Sequence, residues 1–270
     1  MISKPLLLTI LNGFGRLINF VLYLVIANLY GASQSTDWFF FVYAIAYFFI
    51  GISYYATESA LVPEWHRLPE TDHPKMFRSA IHLSLYALPV IGLLLVSSGF
   101  FLAPRRGISL PDSTVMALAI CLVLAFQPSL AFLTSLFSSY RQSRQRYILP
   151  TVHLSLRTIG VLAVLLLAHC RTITVLAFAY LAGELVRLLC LQYGHLRGRK
   201  LSKLSTSAGS FLRPVYGHVV WMTLALMCTV INPVIDLVMV GKFGGGSLTL
   251  VEYAGRLRGM PVLALGGLLV

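Results

Sequence analysis

Seven apolar runs, each long enough to cross a bilayer, dominate this chain and leave little length for anything else. A spanning helix needs about 20 mostly apolar residues. The runs cover residues 5–30, 37–62, 76–103, 114–139, 148–169, 173–195 and 214–241, and an eighth starts near Ser247 and continues to the last residue, Val270. The expected fold class is all-α and polytopic. Only 11% of the residues are charged, against about 25% in soluble domains, and the mean hydropathy is +0.81.

The net charge of +12 would suit nucleic acid in a soluble protein. In a chain of apolar runs, basic side chains belong to cytoplasmic loops facing an anionic leaflet, so no nucleic-acid partner is expected. With the N-terminus inside, the cytoplasmic loops hold Lys4, then Arg67, Lys75 and Arg78, then Arg141, Arg144 and Arg146, then Arg197, Arg199, Lys200, Lys203 and Arg213. The other side holds Arg105, Arg106, Arg171 and Lys242, and twelve against four predicts a cytoplasmic N-terminus. The first run passes Arg16 with no small-residue cleavage site, which predicts a retained helix rather than a signal peptide. Cys121, Cys170, Cys190 and Cys228 have no metal or redox spacing and are expected as small core residues.

Internal repetition organises the chain further. Sliding residues 23–40 onto 236–253 without gaps aligns Leu24 with Leu237, Val25 with Val238, Gly31 with Gly244 and Thr36 with Thr249. Aromatic residues coincide at Tyr30/Phe243 and Phe40/Tyr253. Both copies occupy a turn between two spans, and six helices intervene, so the copies share orientation as in a parallel transporter repeat. The expected domains are a six-helix N-terminal transmembrane lobe at 1–196, a basic cytoplasmic linker at 197–213, and the start of a second lobe at 214–270. That second lobe holds one helical hairpin whose last helix is cut short. No polar tail, basic flank or helix-stop signal follows Val270, so the chain reads as a fragment.

Polar residues inside the spans are the functional candidates, because charge within the bilayer is costly without a partner or water. Asn12, Arg16, Asn19 and Tyr23 are spaced 4, 3 and 4 along the first run and fall on one helix face. They suit a cavity lining; the alternative is that Arg16 snorkels and the asparagines bridge helices. Thr229, Asn232 and Asp236 share a face of the seventh run beside Pro233, where broken transporter helices place binding groups. Glu252 and Arg256 are an i, i+4 pair, and Glu184 and Arg187 an i, i+3 pair, each able to neutralise itself internally. Arg157 lies near Thr151, Ser155 and Thr158. The aromatic run from Trp38 to Tyr55 suits packing and an interfacial belt better than a stacking site.

The seven histidines lack H-x-x-x-H and H-E-x-x-H spacing, and there is no Walker loop, G-x-S-x-G or paired acid/base motif. No metal, cofactor or enzymatic activity is expected. Asp37, alone in the polar break L-Y-G-A-S-Q-S-T-D-W-F-F, stands where a helix N-terminus favours an acid.

The run A-N-L-Y-G-A-S-Q-S-T-D-W-F-F at 27–40, A-L-V-P at 60–63, and Y-A-G-R-L-R-G-M-P at 253–261 followed by Gly266 and Gly267 resemble the MurJ/MviN family of lipid II flippases. That family lies within the multidrug/oligosaccharidyl-lipid/polysaccharide exporter superfamily. The resemblance implies two six-helix lobes facing a central cavity, of which this chain holds one lobe and the opening hairpin of the other, as a truncated member. It further implies alternating access, driven by membrane potential or an ion gradient, that moves a lipid-linked peptidoglycan precursor outward across the bacterial inner membrane.

Carried over by position, Asp37 matches the aspartate after the family's G-A-x-x-x-T turn, and Arg256 matches the arginine of its Y-A-x-R-L motif, where a pyrophosphate needs cations. The family's first-helix arginine falls on Leu22, the arginine before the turn on Asn28, and the arginine pair of the second helix on Phe49 and Ile50. Substrate contacts are expected from Arg256, Arg16, Arg157, Asn12, Asn19 and Asn232, with Asp37, Asp236 and Glu252 as gate or cap. The alternatives are an exporter of another lipid-linked polysaccharide precursor, a transport-inactive membrane scaffold, or a truncated remnant. A homo-oligomer would be needed to build a cavity if the chain ends at Val270.

Overall fold

The computed structural model describes residues 4–105, 107–111, 113–168, 170–192, 221, 223–225, 235–236, 239–240 and 243–255. Its helices are α1 (Lys4–Tyr30), α2 (Gln34–Gly51), α3 (Thr57–Arg67), α4 (His73–Ser97), α5 (Ala103–Arg105), α6 (Thr114–Ser143), α7 (Ile148–Leu167) and α8 (Ile173–Gln192). Residues 247–255 are also helical. Five-residue π-helical turns at Ile52–Ala56 and Ser98–Leu102 carry α2 into α3 and α4 into α5 without a loop. Among the described residues six rods result, each long and apolar enough to cross a membrane: Leu6–Tyr30, Gln34–Arg67, His73–Arg105, Thr114–Ser143, Ile148–Leu167 and Ile173–Gln192. They coincide in order with the first six expected spans. The fold is an all-α polytopic membrane fold. The linker at 197–213 and most of the 214–241 run lie outside the described residues.

The polar break between α1 and α2 follows from two residues. Gly31, at φ +61°, takes the left-handed conformation that ends a helix, and its amide still donates to the Ala27 carbonyl at 3.0 Å. Ser33 then caps α2, its hydroxyl accepting from the Thr36 amide at 3.3 Å while Thr36 Oγ1 accepts from the Ser33 amide at 2.8 Å. This reciprocal capping satisfies two donors that the first helical turn leaves open. The N-cap is therefore Ser33, and Asp37 sits a full turn inside α2.

The outer surface is apolar, unlike that of a water-soluble protein, and many polar side chains join the apolar interior. Leu6, Ile10, Leu17 and Leu24 on α1, Leu93 on α4, Val115 on α6 and Leu189 on α8 are exposed, while Gln127, Thr134, Ser135, Ser138, Ser139 and His153 are fully buried. Lipid tails are as apolar as leucine, so helix association in a bilayer relies on close packing and interhelical hydrogen bonds. Both are visible. Trp65 donates its indole N–H to Ser139 Oγ at 2.8 Å, Ser129 donates to the Ser84 carbonyl at 3.1 Å, and Trp38 donates to the Gly99 carbonyl at 3.1 Å. Helices α7 and α8 approach so closely at Gly160 and Gly183 that a Cβ on Gly183 would stand 2.6 Å from the Arg157 carbonyl oxygen.

The packing expected of the aromatic run is seen: Trp38, Phe39, Phe40, Phe41 and Tyr43 are all buried in the main core, because they begin the rod that α6 and α8 surround. The cysteine expectation is corrected. Of the cysteines expected in the core, Cys121 is buried, Cys190 is half-buried and Cys170 is exposed in the turn before α8; Cys228 lies outside the described residues.

Candidate functional site

Asp37 reaches across to the helix at 247–255. Its Oδ2 accepts from the Gly246 amide at 2.6 Å, and its Oδ1 accepts from the Thr249 amide at 2.7 Å and the Thr249 hydroxyl at 2.6 Å. A helix N-terminus carries unpaired amides and partial positive charge, so a buried carboxylate there is satisfied on both counts. Asp37 is 4% exposed. Thr249 Oγ1 also lies 3.1 Å from Thr36 Oγ1, the Tyr253 hydroxyl donates to the Gly31 carbonyl at 3.3 Å, and the Phe40 and Tyr253 rings meet edge to face with centroids 5.7 Å apart. The pairs Thr36/Thr249 and Phe40/Tyr253, aligned by the internal repeat, are thus in physical contact. Gly246, at φ +88°, lets the backbone come this close: a Cβ there would lie 3.0 Å from the Ala32 carbonyl oxygen.

Beside this latch is a cavity of about 430 Å³ lined by α1, α2, the π turn after it, α7, α8 and Gly255. Its α1 wall is Asn12, Gly15, Arg16, Asn19, Leu22 and Tyr23, and its opposite walls include Tyr43, Tyr47, Tyr55, Thr151, Ser155, Arg157, Thr158 and Tyr180. The helical spacing of Asn12, Arg16, Asn19 and Tyr23 therefore delivers all four to one cavity. On α1 the cavity ends at Tyr23 and the latch begins at Gly31, roughly 12 Å further along at 1.5 Å per residue.

Arg157 is not an unengaged cation. Its Nε lies 2.7 Å from Glu184 Oε1, its Nη2 donates to the Tyr43 hydroxyl at 3.0 Å, and the guanidinium carbon lies 5.7 Å from the Tyr180 ring centroid. Glu184 is fully buried and its Oε2 also pairs with Arg187 Nη1 at 3.2 Å. Arg187 lies over the Tyr54 ring at 4.3 Å, a cation–π contact that occupies the guanidinium face. Nearby, Glu58 accepts from Ser138 Oγ at 2.5 Å and from the Gln142 amide.

Of the expected site residues, Asn12, Arg16, Asn19 and Arg157 are brought together by the cavity. Asp37 is in the latch. Asp236 is exposed and Glu252 half-buried, and neither lines the cavity. Arg256 and Asn232 lie outside the described residues, although Gly255, adjacent to Arg256, lines the cavity. Tyr43, Tyr47, Tyr55 and Tyr180 were missed as lining residues; the first three sit in the aromatic run of the second span, where their hydroxyls were the available signal. Also missed was Glu184 as the partner of Arg157, since the two are on different helices.

The comparisons with known proteins point the same way. The family model described as lipid II flippase MurJ matches residues 26–266. A Thermotoga maritima protein described as "Probable lipid II flippase MurJ" is 26% identical over 270 residues, covering 97% of this chain and 54% of that protein. A solved structure titled "Lipid II flippase MurJ, inward closed conformation" superposes with a TM-score of 0.76 at 18% identity, covering 94% of this chain and 55% of that one. The chain thus spans about half the length of the relatives it matches. The family match runs from the last turn of α1 through the Asp37 turn, α2 to α8 and the 247–255 helix, and the chain belongs to the lipid II flippase MurJ family.

Proposed function

We propose that the chain is the N-terminal lobe and opening hairpin of a flippase that moves a lipid-linked peptidoglycan precursor across the bacterial inner membrane by alternating access. The carrying observation is a membrane-embedded cavity lined by Arg16, Arg157, Asn12, Asn19 and several tyrosines, with a buried carboxylate latch beside it. An anionic pyrophosphate headgroup needs cationic and hydrogen-bonding partners in hydrocarbon, while its lipid tail needs none. Arg256 joins this set through the family's Y-A-x-R-L motif, and Asn232 through its place on the seventh span. Asp37 acts as the gate on the side of the α1–α2 turn, with Asp236 and Glu252 as further gating or capping groups on the second lobe.

The basic-residue bias supports a cytoplasmic N-terminus, which makes the latch the outward-side closure and the cavity inward-facing. Residues 1–196 then form one lobe, 197–213 the cytoplasmic linker and 214–270 the start of the second lobe. The protein acts as a carrier without chemical conversion of its substrate.

Reconstitution into liposomes with a fluorescent lipid-linked pyrophosphoryl disaccharide tests this directly. Protein-dependent transfer between leaflets that is lost in Arg256→Ala is the expected result. Unchanged transfer in a normally inserted Arg256→Ala protein removes that residue from the site. Absence of both transfer and lipid binding in the parent protein favours the membrane scaffold.

A further inference from the structure

Glu184 serves two arginines, and only one of them reaches the cavity. Arg157 lines it; Arg187, on the far side of the carboxylate, is 1% exposed and lines no part of it. Arg157 Nε lies 2.7 Å from Oε1, while Arg187 Nη1 reaches both carboxylate oxygens, Oε2 at 3.2 Å and Oε1 at 3.5 Å. Stranding a buried carboxylate without a cation is strongly unfavourable. A second arginine behind it removes that obstacle, because Glu184 keeps one partner if Arg157 turns away.

Resting on the reading of this cavity as an anion site, we infer that Glu184 is a built-in competitor for Arg157 that sets the charge a ligand must carry. When the cavity is empty, Glu184 and the Tyr43 hydroxyl hold Arg157. A headgroup entering beside Asn12, Arg16 and Asn19 must draw Arg157 from Glu184, which then rests on Arg187. A singly charged phosphodiester, such as that of a bulk phospholipid, only exchanges one monoanion for another. A pyrophosphate brings a second charge and additional acceptor oxygens, so the exchange favours it. Arg187 is then a specificity-determining residue that never touches the ligand, and the ligand class is a lipid pyrophosphate rather than an anionic lipid in general.

The close approach of α7 and α8 at Gly160 and Gly183 supports this arrangement. It brings Arg157 within an ion pair of Glu184 while each helix presents its other face elsewhere. Glu184 and Arg187 alone could neutralise each other as an i, i+3 pair. The third member, drawn from the cavity wall, gives the triad a net charge of +1.

The test measures equilibrium binding of farnesyl pyrophosphate, farnesyl methyl monophosphate (a singly charged phosphodiester) and farnesol to the whole chain in zwitterionic nanodiscs. The parent should prefer pyrophosphate over monophosphate by about tenfold or more. Glu184→Gln, which keeps shape but removes the competing charge, should raise monophosphate affinity and shrink that preference severalfold. Arg187→Gln, which leaves Glu184 dependent on Arg157 alone, should weaken both anions with farnesol unchanged. The double variant Glu184→Gln/Arg187→Gln restores charge balance and should bind as Glu184→Gln does. It also carries the test if Arg187→Gln alone does not fold.

If Glu184→Gln instead weakens both anions as Arg157→Gln does, Glu184 merely holds Arg157 in place and the inference is overturned. It is equally overturned if all variants keep the parent's preference. A parent that binds farnesyl pyrophosphate no better than farnesol overturns the anion-site reading, and this inference with it.

Discussion

The carboxylate of Asp37 accepts the backbone amide of Thr249, 212 residues downstream, at 2.7 Å. One aspartate thereby caps the first turn of a helix in the other half of the internal repeat, after its own helix has been capped by Ser33. A single buried acid explains why the polar break of an otherwise apolar chain carries charge: its partner is a helix N-terminus, which supplies open amides and partial positive charge.

Removing that acid should loosen the latch. Asp37→Ala leaves two buried amides and a hydroxyl without their acceptor, a loss of about 2–4 kcal/mol from the closed arrangement. Cysteines placed at Gln34 and Gly245, where a Cβ at 245 would lie 2.9 Å from Gln34 Cγ, report it in a background lacking the native cysteines. Cross-linking should be ready with Asp37 present and fall severalfold in Asp37→Ala. Equal yields would mean that Asp37 does not hold the two turns together.

Gly246→Ala attacks the same contact from the other side. At φ +88°, with a Cβ 3.0 Å from the Ala32 carbonyl oxygen, alanine should cost about 1–3 kcal/mol in strain and separation. Gly13, whose Cβ would meet nothing within 4 Å, is the control. Gly246→Ala should lower the latch cross-linking yield while Gly13→Ala leaves it unchanged.

Gly183→Val should force α7 from α8, since even a Cβ would stand 2.6 Å from both the Arg157 carbonyl oxygen and Val161 Cγ2. Overpacking of this kind costs about 1–3 kcal/mol, and here it also parts Arg157 from Glu184. A lowered melting temperature in detergent together with weakened lipid-pyrophosphate binding is expected. Loss of stability with unaltered binding would detach the α7–α8 seam from the site.

Arg16→Gln tests the α1 wall. With Asn12 and Asn19 on the same cavity face, the cation should contribute about 1.5–3 kcal/mol to an anionic headgroup, or roughly tenfold or more in affinity. Binding of a neutral isoprenoid alcohol should not change. Equal losses for charged and neutral ligands would point to collapse of the helix face rather than loss of a charge contact.

The parts of this molecule that depend on local chemistry were legible in its sequence. Apolar length located six rods; the polar break before Asp37 marked the turn; the 3.6-residue period put Asn12, Arg16, Asn19 and Tyr23 on one face. The repeat went further, because aligning Thr36 with Thr249 and Phe40 with Tyr253 named pairs that touch. What escaped was pairing across helices without a repeat to guide it. Glu184 is three residues from Arg187, and that pair was visible, but its second arginine comes from α7, and nothing in either helix specifies the facing register. The π turns at Ile52–Ala56 and Ser98–Leu102 were hidden for a related reason: they preserve apolar length, and only tertiary packing distinguishes them from ordinary helix. Arg256 and Asn232 were named from sequence and lie outside the described residues.

Equilibrium binding of a lipid-linked pyrophosphoryl sugar to the whole chain, followed by native mass spectrometry across a salt series, tests the central claim most directly. A charged headgroup held by Arg16 and Arg157 predicts affinity well above that of the matching neutral lipid and a steady loss as ionic strength rises. Binding that is equal for charged and neutral lipids, or indifferent to salt, would contradict the reading of this cavity as the place where a pyrophosphate headgroup is held.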